Sequence, residues 1–223
     1  MPAQQQAVNV SGYIMRTLKF ITTLLLIALY SCGQENVKRK VNPQVAILSN
    51  KIIPLVNFLD DSDSCKKALL ILDSTTRIDN DCFLCHYNKL MFLYSLKQFG
   101  NAVETIKECI RIKPSAHDLY TTGGILYEKI GDTISSSKYF NKSLSILNPV
   151  LDTMNVQNIN YEMLVSNKAI NLIMLGDNKT GNDLLKSIAD RQKETELKEY
   201  TLSFMNKSKK ELVDMLTNSQ YSR

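Results

Sequence analysis

The feature that most constrains the fold of this chain is a small residue that recurs every 34 positions. When rows of 34 begin at residues 49, 83 and 117, the twentieth place is small in each row: Ala68, Ala102 and Ser136. A period of this length is typical of stacked pairs of helices, because each unit must bury its apolar face against its neighbours. The sequence therefore predicts an all-α solenoid, an architecture that presents extended binding surfaces.

The third row carries the most complete set of characteristic residues. In residues 117–150, the places that are characteristic are 8, 11, 15, 16, 20, 24 and 27. They hold, in order, Gly124, Tyr127, Gly131, Asp132, Ser136, Phe140 and Ser143, and Pro149 follows near the end of the row. This pattern resembles the tetratricopeptide repeat. The resemblance implies small residues where two antiparallel helices cross, large residues between them, and a proline that ends the second helix.

The resemblance implies a right-handed TPR-like solenoid of three to four helix-turn-helix units within a domain of residues 43–217. The predicted units cover about residues 49–82, 83–116, 117–150 and 162–195. About eleven inserted residues precede the fourth unit, and we expect them to lengthen the preceding helix or its loop. A Lys- and Glu-rich segment at about 194–216 predicts a capping helix. An unrelated bundle of helices of equal length is the alternative.

Upstream of the repeats, a short apolar run follows two basic residues. Arg16 and Lys19 precede the run at residues 20–30, and Cys32 follows it. The run has about eleven residues, whereas a helix needs ~20 to span a bilayer. The segment resembles the signal peptide and lipobox of a bacterial lipoprotein.

This second resemblance implies export to the bacterial cell envelope and a membrane anchor through lipid on Cys32. Residues 1–31 would then be a signal peptide and residues 32–42 a flexible tether. We expect Met15 to be the true start, because residues 1–14 carry no charge and would bury the basic region of a normal leader. The alternatives are an ordinary cleaved signal peptide, which would still imply export, and a stray apolar N-terminus, which would not.

Charge and motifs exclude several functions. Loss of Arg16 and Lys19 with the leader lowers the 27 cations of the chain to 25, against 22 anions. This excess of positive charge is too small, and the basic residues are too scattered, to predict nucleic-acid binding. The sequence has no Ser/His/Asp set, phosphate-binding loop or metal-ligating H-E-x-x-H, so we expect no catalysis, no metal and no cofactor.

The cysteines leave three alternatives open. Cys82, Cys85 and His86 form C-x-x-C-H, a pattern typical of covalent haem attachment and thus of electron transfer. In a tetratricopeptide unit the two helices are antiparallel, which implies that Cys85 lies beside Cys109 and forms a structural disulfide in an oxidising envelope. Cys82 is the competing partner, and thioredoxin-like redox chemistry ranks last because a βαβ context is missing.

The family resemblance also implies a groove that binds a protein or peptide partner, lined by the first helix of each unit. The predicted groove residues are Ile53, Asn57, Tyr87, Met91, Tyr94, Thr121, Ile125 and Glu128. In chaperone-binding members of the family, basic groove residues bind the C-terminal carboxylate of the partner. Asp118 places a negative charge in this groove, so we expect no such carboxylate site here. We expect Ile170, Ile173 and Met174 to pack against the capping helix instead.

Three tripeptides, at residues 73–75, 132–134 and 152–154, resemble an O-glycosylation signal known from one group of bacteria, and Ser74 of the first falls within a predicted helix. Thr133 lies in a predicted turn and Thr153 in the insertion, so both are expected to be accessible. Such short patterns arise often by chance.

Overall fold

Pairs of antiparallel helices follow one another along residues 42–218, the range that the computed structural model describes. Within this range there are ten α-helices, one 3-10 helix and no strand, which confirms the predicted all-α class. The helices are α1 (Pro43–Asn50), the 3-10 helix (Ile53–Phe58), α2 (Ser62–Ile78), α3 (Phe83–Ser95), α4 (Phe99–Ile112), α5 (His117–Lys129), α6 (Thr133–Thr153), α7 (Tyr161–Met174), α8 (Asn178–Arg191), α9 (Thr195–Leu202) and α10 (Lys209–Asn218). The predicted signal peptide, Cys32 and the tether up to residue 41 lie outside the described residues.

The same turn joins the two helices of units two, three and four. The fifteenth residue of each unit has a positive φ, of 55°, 85° and 98° for Lys97, Gly131 and Gly176. The next N–H donates to the carbonyl five residues back, at 2.8–2.9 Å, in the pairs Gln98–Leu93, Asp132–Tyr127 and Asp177–Leu172. This left-handed closure satisfies a carbonyl that the helix end would otherwise leave unpaired. It fixes the angle at which the second helix returns.

The recurring small residues lie where the helices approach most closely. Ala68 and Ala102 are fully buried and Ser136 is 1% exposed. On the facing helix, a Cβ built on Gly124 would lie 2.7 Å from the Phe140 ring. The predicted role of this column, close helix crossing, is confirmed.

The core is continuous from unit to unit and consists of three clusters. Leu90, Leu93, Ile106 and Leu126 join α3, α4 and α5 in the central cluster. Ile52, Ala68, Leu72 and Phe92 form the cluster that closes the N-terminal end. A third cluster joins α5 through α8 to α10. Each unit therefore shares its apolar face with the next, as expected of a solenoid.

The first unit differs from the predicted one. α1 and the 3-10 helix stand where one α-helix is expected, and Pro54 lies at the start of the 3-10 helix. Proline lacks an N–H and clashes with the preceding helical turn, so it breaks an α-helix at this place. The second helix of this unit, α2, begins directly after Asp61, which accepts the Ser64 N–H at 3.0 Å and caps it.

Pro149 does not end the second helix of the third unit. It lies inside α6, which runs on to Thr153 and is 21 residues long. The insertion thus lengthens both this helix and the loop that precedes α7, as expected. Arg191 holds that loop by donating to the Val156 carbonyl at 2.8 Å.

The predicted capping segment is two helices, α9 and α10, instead of one. Between them Asn206 has a φ of 57°. Ser208 then starts α10 with a reciprocal capping box: its N–H donates to the Glu211 carboxylate at 2.8 Å, and the Glu211 N–H donates to Ser208 Oγ at 3.2 Å. This break allows α10 to turn back toward the middle of the solenoid.

Candidate binding groove

We call the surface formed by the first helices α3, α5 and α7 the groove. Its residues include Tyr87 and Met91 on α3, Ile125 and Lys129 on α5, and Ile170 on α7. The second helices α4, α6 and α8 pack behind them. The question for function is which part of the groove a partner could reach.

Helix α10 covers the α5–α7 part of the groove. Leu212 and Val213 are fully and almost fully buried, and they belong to the same cluster as Ile125, Ile170 and Met174. Packing of Ile170, Ile173 and Met174 against the capping segment, expected from the sequence, is confirmed. An amphipathic helix of the chain itself thus occupies this half of the groove.

An ion pair fixes α10 on α5. Lys129 Nζ lies 2.8 Å from Asp214 Oδ1, and its side chain is only 19% exposed. The hydrogen bond from Lys129 lowers the pKa of Asp214. Lys210 adds a second, weaker contact to the same carboxylate at 3.6 Å. Polar pairing at the rim and apolar packing at the centre give this contact the character of helix-in-groove recognition.

A polar network lies beneath α7. Asn171 is fully buried; its Nδ2 donates to Ser143 Oγ at 2.9 Å, and its Oδ1 accepts from Thr121 at 3.1 Å. Ser143 also donates to the His117 carbonyl at 2.9 Å. These bonds join α5, α6 and α7, so Thr121 serves the packing of the third and fourth units.

The eight predicted groove residues separate by exposure. Ile53 and Asn57 are exposed at the N-terminal end, and Tyr87, Met91 and Glu128 are partly exposed. Tyr94, Thr121 and Ile125 are buried. The structure removes these last three from any surface that a ligand could reach, because α7, α10 and the core cover them.

Tyr87 and Met91 remain as an accessible strip on α3. The Tyr87 ring stacks on Phe83 with 5.5 Å between centroids. Burial, with smaller contributions from Asp118 and Cys109, raises the pKa of Tyr87 to about 12. The strip therefore offers the partly exposed Tyr87 side chain, whose phenol group is buried, and the Met91 thioether, beside Asp118 of the next unit.

The cysteine pairing predicted from the repeat is wrong. Cys85 forms a disulfide with Cys82, with 5.3 Å between the Cα atoms, whereas Cys109 and Cys65 are buried free thiols. Cys82 caps α3, so a spacing of three residues places its sulfur over the first turn beside Cys85. Burial raises the pKa of Cys109 to about 12 and also raises that of Cys65.

The same geometry bears on the haem hypothesis. Both sulfurs that thioether bonds would need are joined to each other. The His86 side chain is 5% exposed, and its Nε2 lies 2.9 Å from the Asn80 carbonyl oxygen. Within residues 42–218, no group of three or more His, Cys, Asp or Glu side chains could hold a metal ion.

Comparison with known sequences identifies the repeat. A sequence profile of the tetratricopeptide repeat matches residues 85–115, within the predicted second unit. The chain carries a tetratricopeptide repeat. The profile covers α4 and most of α3, so the accessible strip lies on the first helix of this repeat. No curated protein matches the sequence.

Several solved structures align with this chain at low sequence identity. The pilus biogenesis factor PilW aligns with a TM-score of 0.52 and 17% identity, over 79% of this chain and 71% of PilW. A MamA RS-1 double mutant aligns with a TM-score of 0.48 and 12% identity, over 81% and 99%. A protein of Podosopora anserina with nearly identical TPR-like repeats gives 0.48 and 10%, over 81% and 100%. The alignment with PilW, together with the paired helices of this chain, confirms the predicted solenoid.

Two further observations concern the surface. None of the helices between residues 42 and 218 combines the length and the apolar character that crossing a membrane requires. Thr133 and Thr153, the predicted glycosylation residues, are the first and last residues of α6 and are both exposed. Their glycosylation stays a prediction.

Sequence reasoning placed the capping segment against Ile170, Ile173 and Met174 of α7 but missed its contact with α5. Leu212, Val213 and Leu216 form an apolar stripe that predicts an amphipathic helix. The stripe by itself does not tell which helix it packs against. The break at Asn206 redirects it onto α5.

Proposed function

We propose that this protein is a non-catalytic scaffold that binds a helical segment of another protein in its groove. The observation that carries this proposal is α10, because the α5–α7 part of the groove already holds an amphipathic helix by buried Leu212 and Val213 and by the Lys129–Asp214 pair. A surface that binds one such helix within the chain has the chemistry to bind another.

The proposed contact for the partner is the strip of Tyr87 and Met91, in the N-terminal part of the groove that α10 leaves open. Both side chains are partly exposed, and methionine adapts to varied apolar partners. Asp118 and Glu128 give this region a negative rim. The partner that fits is therefore an amphipathic helix with apolar anchors and basic flanking residues.

We also propose that the scaffold acts in the bacterial cell envelope, held to a membrane by lipid on Cys32. The lipobox resemblance supports the anchor, and two or three acyl chains would hold a protein stably where one would not. The tether would leave the groove free to meet a partner some distance from the membrane.

The binding proposal is tested by crosslinking in intact envelopes followed by capture and mass spectrometry. Met91→Glu places a charge in the strip, and Leu70→Glu is the matched control, since Leu70 is 67% exposed on α2 outside the groove. We expect one partner to be captured by the wild type and the control but not by Met91→Glu. Equal capture by all three proteins would contradict the proposed contact.

The anchor is tested separately by Cys32→Ala. The variant should leave the membrane fraction, and the wild type should incorporate labelled fatty acid. A variant that stays on the membrane would overturn the anchor and leave the groove proposal intact.

The scaffold role needs no cofactor, so the purified protein should be colourless. An absorbance spectrum and a haem stain of the denatured chain check this directly. A Soret band with covalently bound haem would instead assign electron transfer to Cys82, Cys85 and His86.

A further inference from the structure

The Cys82–Cys85 disulfide holds no two helices together. Its two residues are three apart in sequence, both at the start of α3. The entropy that a cross-link removes from the unfolded chain grows with the length of the loop it closes, so this bridge stabilises the fold little. A disulfide that contributes little to stability calls for another account.

Other bonds hold the segment before α3 in place. The Arg111 guanidinium on α4 donates to Asp81 Oδ1 at 2.9 Å and to the Asn80 carbonyl at 3.0 Å. His86 contacts the same Asn80 carbonyl from α3. Because these bonds do not involve the sulfurs, the local structure can persist when the disulfide is reduced.

The two sulfurs are not equivalent. Cys82 is partly exposed and is the N-cap residue, and its Sγ accepts the Cys85 N–H at 3.3 Å. Cys85 is 2% exposed. An N-cap sulfur meets the unpaired N–H groups and the positive end of the helix, which stabilise a thiolate. An incoming thiol can reach Cys82, and the reduced form would keep its charge there.

We propose that Cys82 and Cys85 form a redox site that exchanges its disulfide with a dithiol of another protein. A partner thiolate attacks Cys82 Sγ, the Cys82–Cys85 bond breaks, and Cys85 leaves as a thiolate that takes a proton. The second partner thiolate then attacks the partner sulfur of the mixed disulfide and releases Cys82 as a thiolate. The partner dithiol is oxidised to a disulfide and this chain is reduced to a dithiol. The site is independent of the groove and goes beyond the scaffold role.

Equilibration of the full chain with glutathione tests the proposal. The protein is incubated in a series of reduced to oxidised glutathione ratios, quenched with acid and labelled with a thiol-specific mass tag. We expect the Cys82–Cys85 pair to pass from oxidised to reduced within the series while the far-UV circular dichroism stays native. A disulfide that opens only on unfolding would make it structural and overturn the proposal.

A matched pair of variants identifies the attacked sulfur. Cys85→Ala leaves Cys82 alone and should accumulate a mixed disulfide with glutathione, whereas Cys82→Ala leaves only the buried Cys85 and should trap at least about tenfold less. Cys109→Ser serves as the control and should behave as the wild type. Equal trapping in both alanine variants, or none in either, would contradict the assignment. If a variant does not fold, the wild-type titration still decides.

Discussion

At the scale of single residues, the three equivalent turns differ at one position. Lys97 has the left-handed conformation that Gly131 and Gly176 adopt in the other units. A side chain in this conformation costs about 1–2 kcal/mol, whereas glycine adopts it freely. The second unit therefore folds against a local strain that the third and fourth lack.

Lys97→Gly should stabilise the protein by up to about 1 kcal/mol. The substitution removes the strain of the left-handed conformation, and this gain is larger than the entropy cost of a more flexible unfolded chain. Gly131→Ala is the mirror experiment and should destabilise by about 1 kcal/mol, because it introduces the same strain where there is open space around the Cβ. Urea unfolding of both variants measures the difference. Effects of the same sign would show that the turn conformation is not what matters.

The His117 side chain is buried, and no hydrogen bond from the described part of the chain compensates its ring for the loss of water. Its side chain is 7% exposed, and neither ring nitrogen has a hydrogen-bond partner among residues 42–218. Burial lowers the pKa of His117, and Asp118 offsets this only in part. Below a pH of about 6.5, the ordinary pKa of histidine, His117 binds a proton in the unfolded chain more readily than in the folded chain.

Stability should therefore be constant above about pH 7 and fall as the pH drops below about 6.5. His117→Leu should lose this fall, while His86 stays in both proteins as an internal control. Urea midpoints at pH 7.5 and pH 5 test the prediction. Identical pH dependence in wild type and variant would place the cause elsewhere.

At the scale of helices, close crossing decides which glycines tolerate a side chain. Gly124 faces the Phe140 ring across the α5–α6 contact, whereas a Cβ on Gly100 in α4 would meet nothing within 4 Å. Both residues lie in helices, where alanine is intrinsically better than glycine by about 1 kcal/mol. Packing thus predicts opposite outcomes for the same substitution.

Gly124→Ala should destabilise the protein by about 1–3 kcal/mol through overpacking against Phe140. Gly100→Ala should stabilise it by about 0.5–1 kcal/mol. Thermal or urea unfolding measures both changes. A stabilising Gly124→Ala would mean that α5 and α6 can separate without loss.

At the scale of the whole molecule, the C-terminal helix determines how much of the groove is open. α10 buries Leu212 and Val213 against the third and fourth units, whereas the strip on α3 belongs to the second. A long solenoid surface is thereby shortened to the N-terminal part. Any partner that binds the C-terminal part must displace α10.

Leu212→Ala should destabilise the chain by about 2–5 kcal/mol, because it leaves a cavity at a fully buried site. Lys210→Ala is the control, since the Lys210 side chain is 90% exposed; its effect should stay within about 0.5 kcal/mol. Hydrogen exchange should show faster exchange of α10 in the Leu212 variant. Unchanged exchange there would mean that α10 does not depend on this anchor.

The sequence by itself determined the helix pairs, their period and most of their contacts. Ala68, Ala102 and Ser136 indicated the helix crossings, because two helices approach closely at the same place in every unit and only small residues fit there. The Gly-Asp turns at residues 131 and 176 indicated helix ends for a local reason, the left-handed conformation. Such features depend on neighbours within one unit, which the sequence contains.

Only the tertiary structure decided where α10 packs, which cysteines pair and which predicted groove residues are covered. The apolar stripe of α10 does not identify its partner, and the break at Asn206 lets Leu212 and Val213 pack on α5. The repeat implied Cys109 as the partner of Cys85, and the N-cap geometry of Cys82 selects Cys82 instead. These choices depend on the relative positions of distant segments, and apolar periodicity carries no information about those positions.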